Sequence, residues 1–332
     1  MILLGLLIIA AGAFCQSSSY VPIKKIKTWS WESFWLTQGI FAWLVFPLAG
    51  ALLAVPEGES LLSLFTSNPE ASLATICYGA LWGVGGLTFG LSMRYLGVAL
   101  GQSISLGTCA ALGTVLAPVF TGHASDITTS VIIGVVVTLV GIAVIGVAGS
   151  MKARTSGSDD SVKEFNFTKG IAVALLAGFM SACFNIGLYA GAPLQFAGVN
   201  PLYATLPATF LVTLGGFATN AAYCLFCNAR NRTWSDYSVA PSMWLNNILF
   251  CALAGVLWYS QFFGLAIGKG FLEGSPTLYT FAFCILMALN VTFSNVWGII
   301  LKEWKGCTRQ TIAVLVAGLV ILIVSSFLPQ LI

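Results

Sequence analysis

Ten long apolar runs, separated by short polar loops, decide most of what this chain can become. A helix needs roughly 20 apolar residues to cross a bilayer. Such runs lie near Met1–Tyr20, Ser33–Val55, Ser72–Met93, Ala99–Phe120, Thr129–Gly149, Gly170–Gly191, Leu202–Cys227, Met243–Ile267, Leu278–Leu301 and Ile312–Phe327. They are continuous rather than alternating, which favours helices over a β-barrel. Of the residues, 58% are hydrophobic and only 8% charged, against about 25% charged in soluble chains. The expected fold is an all-α polytopic membrane protein whose solvent is the lipid bilayer, with no nucleic-acid partner.

Charge sets the expected orientation. The loops after runs 1, 3, 5, 7 and 9 carry Lys24, Lys25, Lys27, Arg94, Lys152, Arg154, Lys163, Lys169, Arg230, Arg232, Lys302, Lys305 and Arg309, and the other side holds only Lys269. Lys and Arg accumulate in cytoplasmic loops, so both termini are expected outside, periplasmic in a bacterial inner membrane. The first run has no basic residues before it, and Phe14 precedes Cys15 where a cleavage site would need a small residue. It reads as a retained span rather than a signal peptide.

One stretch, residues 151–168, has a linker's composition, with Ser-Gly-Ser-Asp-Asp at its heart. It separates five runs (1–150) from five (169–332). An odd number per half inverts the second half relative to the first, the design of many transporters with a central site. Runs 5 and 10 share a Val/Ile/Leu/Gly pattern, and Ala11-Gly12-Ala13-Phe14 is echoed by Ala177-Gly178-Phe179-Met180. In run 3, Gly79/Gly83 and Gly86/Gly90 have the spacing that lets helices approach closely. Gly264-x-x-x-Gly268-Lys269 lacks the spacing of a phosphate loop.

Polar side chains inside spans are costly unless they face a cavity or a partner helix. Gln16, Gln38, Gln102, Asn185, Asn220, Gln261, Asn290 and Asn295 are such residues, and they travel with aromatics including Trp43, Tyr78, Trp82, Tyr189, Tyr223, Trp258, Tyr259 and Trp297. Amides both donate and accept hydrogen bonds, which suits a neutral polyol, and an aromatic face can stack on a sugar ring. Interhelical hydrogen bonds and interface anchoring are the plainer roles. The expected substrate-binding set is Gln16, Gln38, Trp82, Asn185, Tyr189, Trp258, Tyr259 and Gln261.

No carboxylate falls at mid-span. Glu32, crowded in sequence by Trp29, Trp31 and Phe34, is the expected proton-coupling group. The alternative is local: Ser30 caps the helix and Glu32 complements its N-terminal dipole. Arg94 and Glu303 are candidates for ion pairs on the cytoplasmic side, although Arg94 also serves as a simple topological anchor. Cys224 and Cys227 form a C-x-x-C without a second pair or a nearby histidine, so no metal or other cofactor is expected. A catalytic nucleophile with its base is not apparent either, and the single histidine, His123, lies in an external loop. This points away from an enzyme.

A resemblance to a known family sharpens these expectations. The string Tyr20-Val21-Pro22-Ile23-Lys24-Lys25-Ile26-Lys27-Thr28-Trp29-Ser30-Trp31-Glu32 resembles the first cytoplasmic loop of the L-rhamnose–proton symporters, in the drug/metabolite transporter superfamily. Gly79-Ala80-Leu81-Trp82-Gly83, Met93-Arg94-Tyr95-Leu96-Gly97, Pro201-Leu202-Tyr203, Trp258-Tyr259 with Gln261-Phe262-Phe263, and Leu301-Lys302-Glu303-Trp304 match in the same order. The resemblance implies ten helices in a 5+5 inverted repeat and proton-driven import of L-rhamnose or a related 6-deoxyhexose; the expected carrier is a monomer. Two stretches depart from the family pattern: Gly86 and Thr88 stand where asparagines follow the run 3 motif, and Tyr189 and Ala192 precede Pro193 where an asparagine and a lysine are expected. The rival within the superfamily is an exporter or exchanger of another metabolite or drug. Scarce cavity cations argue against a nucleotide-sugar, and the missing mid-span carboxylate argues against a cationic drug.

Overall fold

A computed structural model describes residues 1–96, 98–155 and 166–331. Most of the linker sequence, Lys163 included, lies outside the described residues. Among those described, all regular structure is helical. The helices are α1 (Ile2–Ser18), α2 (Tyr20–Ile23), α3 (Trp31–Gly39), a π-helical turn (Ile40–Val45), α4 (Phe46–Leu52), α5 (Leu61–Ser67), α6 (Pro69–Leu96), α7 (Val98–Phe120), α8 (Thr129–Thr155), α9 (Phe167–Ala190), α10 (Leu206–Asn231), α11 (Pro241–Gly270), α12 (Pro276–Ile300) and α13 (Arg309–Leu331). Ten candidate spans are long and apolar enough to cross a membrane. They coincide with the ten apolar runs within a few residues. The largest shift of a start is at α10, whose helix begins at Leu206, with Pro207 in its first turn, after a series of turns over residues 201–205.

The chain forms two compact units, each drawn from both halves of the sequence. The first comprises Met1–Gly83 and Ala190–Phe271, the second Val84–Tyr189 and Leu272–Ile332.

In the first unit, glycines let helices touch backbone to backbone. A Cβ at Gly12 of α1 would sit 2.6 Å from the Ser260 carbonyl oxygen and 3.3 Å from Cα of Gly264. One at Gly268 would sit 2.9 Å from the Gly5 carbonyl oxygen. The Gly264/Gly268 pair is therefore a packing seam between α11 and α1. A Cβ at Gly79 would run into the Val212 carbonyl of α10, and one at Gly83 would sit 2.8 Å from the Gly216 carbonyl oxygen. A Cβ at Gly86 or Gly90 would meet no described heavy atom beyond its own helix backbone within 4 Å, so only the first of the two glycine pairs packs in this way.

In the second unit α8 lies along α13. A Cβ at Gly141 would fall 2.6 Å from Leu322, and one at Gly318 the same distance from Ile145. The hydroxyl of Thr138 donates to that of Ser325 at 3.0 Å. Ile142, Ile145, Ala288, Val291, Leu315 and Leu322 form a buried cluster between these helices and α12. Ile132, Val136 and Val140 on α8, and Val316, Val320 and Ile323 on α13, are exposed. A hydrocarbon-facing stripe is what a spanning helix presents to lipid.

Candidate functional site

The sequence places Trp35, Trp43, Trp82 and Trp258 far apart, but the first unit gathers them. Trp43, at the centre of the π-helical turn, lies with its ring centroid 5.5 Å from Trp35, 6.2 Å from Trp82 and 5.6 Å from Trp258. Trp82 and Trp258 are 5.8 Å apart, and Phe262 reaches both, at 6.1 and 5.3 Å. Edge-to-face pairs predominate, the arrangement that ring quadrupoles favour. Residues 258 and 262 are one helical turn apart on α11, so a single face supplies both rings. The adjacent face carries Tyr259, which pairs with Phe263 and presses its hydroxyl against Gly50 of α4, 2.5 Å from where a Cβ would stand.

Amides line the same unit. Gln38 is 2% exposed, and its Oε1 has no hydrogen-bond partner among the described residues; neither has Nε1 of Trp43. Buried polar atoms are nearly always satisfied, so each such atom calls for an explanation. Gln261 is buried and donates through Nε2 to the Trp258 carbonyl at 3.2 Å. Gln16 on α1 is half-buried and accepts from the Ser17 hydroxyl at 3.4 Å. Asn220 accepts from Nε1 of Trp35 at 3.0 Å and donates to the Gly216 carbonyl at 2.9 Å.

The remaining two residues of the expected set, Asn185 and Tyr189, lie one turn apart on α9 in the second unit. Asn185 is buried and donates to the Gly113 carbonyl of α7 at 2.7 Å, an interhelical bond of the plainer kind. Half-buried Tyr189 faces the His123 ring, centroids 6.4 Å apart.

Glu32 keeps different company from that suggested by its sequence neighbours. Its Oε1 accepts from Nδ2 of Asn231 and from the Thr233 hydroxyl, both at 2.9 Å. The aromatics pair elsewhere, Trp29 with Tyr237, Trp31 with Trp35 and Tyr223, and Phe34 with Trp35. Ser30 holds the N-cap position of α3, yet its hydroxyl does not cap the helix. Instead Asp236, from the loop after α10, accepts from both the amide and the hydroxyl of Ser30, at 2.8 and 2.6 Å. Burial raises the carboxyl pKa of Asp236, but the donors of Ser30 and Ser33 outweigh it and hold it below its ordinary value. Ser33 and Thr233 both point a hydroxyl at Oδ1 of Asn228, at 3.0 and 2.8 Å. Asn247 of α11 clamps the amide and carbonyl of Lys27, at 3.1 and 2.9 Å, and so fixes the first loop. Arg94 and Glu303 are both exposed, the first in the last turn of α6 and the second just after α12. No cluster of metal-ligating side chains occurs among the described residues.

Sequence reasoning did not select Trp43, Asn228, Thr233 or Asp236. Trp43 had a signal, being flanked by Gly39 four residues before and Pro47 four residues after. Asn228, Thr233 and Asp236 had none, because their partners Ser33, Glu32 and Ser30 lie about 200 positions away.

The family model for the L-rhamnose-proton symport protein (RhaT) matches residues 1–331. A protein of Citrobacter koseri named L-rhamnose-proton symporter is 34% identical over 328 residues, covering 95% of this chain and 93% of the relative. Proteins of the same name from Yersinia pestis and Yersinia pseudotuberculosis are 33% identical over 338 residues, covering 98% of this chain and 96% of each relative.

Proposed function

We propose that this chain, which belongs to the L-rhamnose-proton symport protein family, imports L-rhamnose together with a proton across the bacterial inner membrane. The observation that carries this reading is the family match along essentially the whole chain, joined to ten helices fit to span a bilayer. The mechanism is alternating access, with residues 1–150 and 169–332 as inverted repeats and both termini periplasmic, as the charge distribution favours.

The substrate meets Gln16, Gln38, Trp82, Trp258, Tyr259 and Gln261, all residues of the first unit. Tryptophan faces cover the apolar side of a pyranose, and amides exchange hydrogen bonds with its hydroxyls. Glu32 carries the proton. The geometry of its surroundings supports that role. The Thr233 hydroxyl has one proton and two acceptors within reach, Glu32 Oε1 at 2.9 Å and Asn228 Oδ1 at 2.8 Å. While Glu32 is charged, the proton points to the carboxylate. When Glu32 is protonated, Thr233 turns to Asn228, and α3 loses one tie to the segment after α10. Arg94 and Glu303 are surface charges that serve ion pairing on the cytoplasmic side.

Thermal stabilisation of the purified protein across a panel of monosaccharides at two pH values tests this reading. A selective shift with L-rhamnose that changes with pH is the expected result, and no shift with any sugar would overturn it. Gln261→Ala should weaken sugar binding several-fold without loss of folded protein; unaltered affinity would remove Gln261 from the site.

A further inference from the structure

A π-helical turn, Ile40–Val45, interrupts the second span. Such turns are rare and tend to mark functional positions. Here the turn has a local cause. Pro47 has no N–H to close onto the preceding turn, and its ring would crowd the Trp43 carbonyl in a regular helix. The wider turn avoids this, and the Phe46 amide bonds to the Phe41 carbonyl five residues back.

The turn re-aims two side chains. In an α-helix, residues 38 and 43 would point about 140° apart. The extra residue in the π turn swings them toward a common face. The Trp43 ring folds back over Gly39, where a Cβ would lie 2.6 Å from Cζ3, so the glycine is what lets the indole occupy this position. Gly255 of α11 packs equally closely on the turn, since a Cβ there would lie 2.7 Å from Cβ of Phe41 and 3.0 Å from the Ala42 amide nitrogen.

Trp43 is 3% exposed and Gln38 2%. The indole N–H of one and the amide oxygen of the other are buried, and neither has a partner among the described residues. One is an unmatched donor and the other an unmatched acceptor, and the Trp43 ring lies 6.2 and 5.6 Å from those of Trp82 and Trp258. A sugar hydroxyl is both an acceptor and a donor, and nothing apolar would complete this pair.

We infer that the π-helical turn is the hydroxyl-reading element of the sugar site. Trp43 Nε1 donates to a ring hydroxyl of the substrate, and Gln38 Oε1 accepts from the same or a neighbouring one. Gly39 and Pro47 are positioning residues that create the turn. This rests on the sugar-transport reading and adds Trp43 to it as the residue that discriminates among hydroxyl patterns.

Calorimetric titration of the purified full-length protein with L-rhamnose and its 2-, 3- and 4-deoxy analogues tests the assignment. Trp43→Phe keeps an aromatic ring and removes the donor. It should weaken L-rhamnose binding by about tenfold, yet bind one of the deoxy analogues as well as the unsubstituted protein does. A variant that binds L-rhamnose undiminished, or that weakens every analogue by the same factor, overturns the assignment. If Trp43→Phe gives no folded protein, Gln38→Met decides by the same criterion. If the unsubstituted protein binds none of these sugars, the transport reading itself falls and takes the inference with it, whereas normal sugar binding with hydroxyl-blind variants overturns the inference alone.

Discussion

At the scale of single residues, two carboxylates at one end of α3 are held by different hands. Glu32 takes its donors from Asn231 and Thr233, Asp236 takes its donors from Ser30, and the two should respond differently to substitution. Glu32→Gln keeps the shape and removes the titration. It should leave L-rhamnose binding measurable and abolish its dependence on pH, as read by thermal shift at two pH values; a variant whose binding still follows pH would assign the proton elsewhere. Asp236 is a positioning group for the first loop. Its carboxyl lies below the ordinary value of 3.8. A depressed folded-state value means that its stabilisation is present above the unfolded value and is lost as the pH falls through the folded one. Asp236→Asn should therefore lower stability by about 1 kcal/mol at neutral pH, and the gap to the unsubstituted protein should close on acidification below the depressed value. A gap unchanged down to pH of about 2 would contradict the hydrogen-bond account. Glu32 stands out in the sequence because acids near a span are rare. Asp236 does not, since it sits in a polar loop and only the fold brings it to Ser30.

At the scale of elements, the ten spans were legible because about 20 apolar residues are hard to explain otherwise, and the structure moves their ends by only a few residues. Interhelical contacts were half legible. Gly79/Gly83 and Gly86/Gly90 read alike, yet one pair abuts α10 and a Cβ at either glycine of the other would meet no described atom beyond its own helix backbone within 4 Å. Spacing reports which residues share a face, not what that face touches. The contrast is testable by melting temperature in detergent. Gly79→Leu should destabilise by about 3 kcal/mol or more, because the Val212 carbonyl cannot give way. Gly86→Ala should be neutral or slightly stabilising, since alanine is the better helix former. Equal effects would refute the packing seam. The π turn was not legible as such. Gly39 and Pro47 bracket Trp43 at regular helical spacing, and only the Phe46-to-Phe41 bond reveals the added residue.

At the scale of the whole molecule, a 5+5 division rests on counting spans and on charge, and it remains a proposal. Compactness follows another division, since each of the two units takes segments from both halves. Composition fixed the solvent, a resemblance along the chain pointed to the family, and the match over residues 1–331 establishes the membership. Grouping of the site was less legible, because distance along a sequence says little about which tryptophans meet. The central claim is coupled import, and reconstitution into liposomes measures it directly. With the exterior more acidic than the lumen, labelled L-rhamnose should accumulate above its external concentration, and adding the sugar without an imposed gradient should make the external medium more alkaline. Accumulation that ignores the proton gradient, or no accumulation at all, would contradict the account.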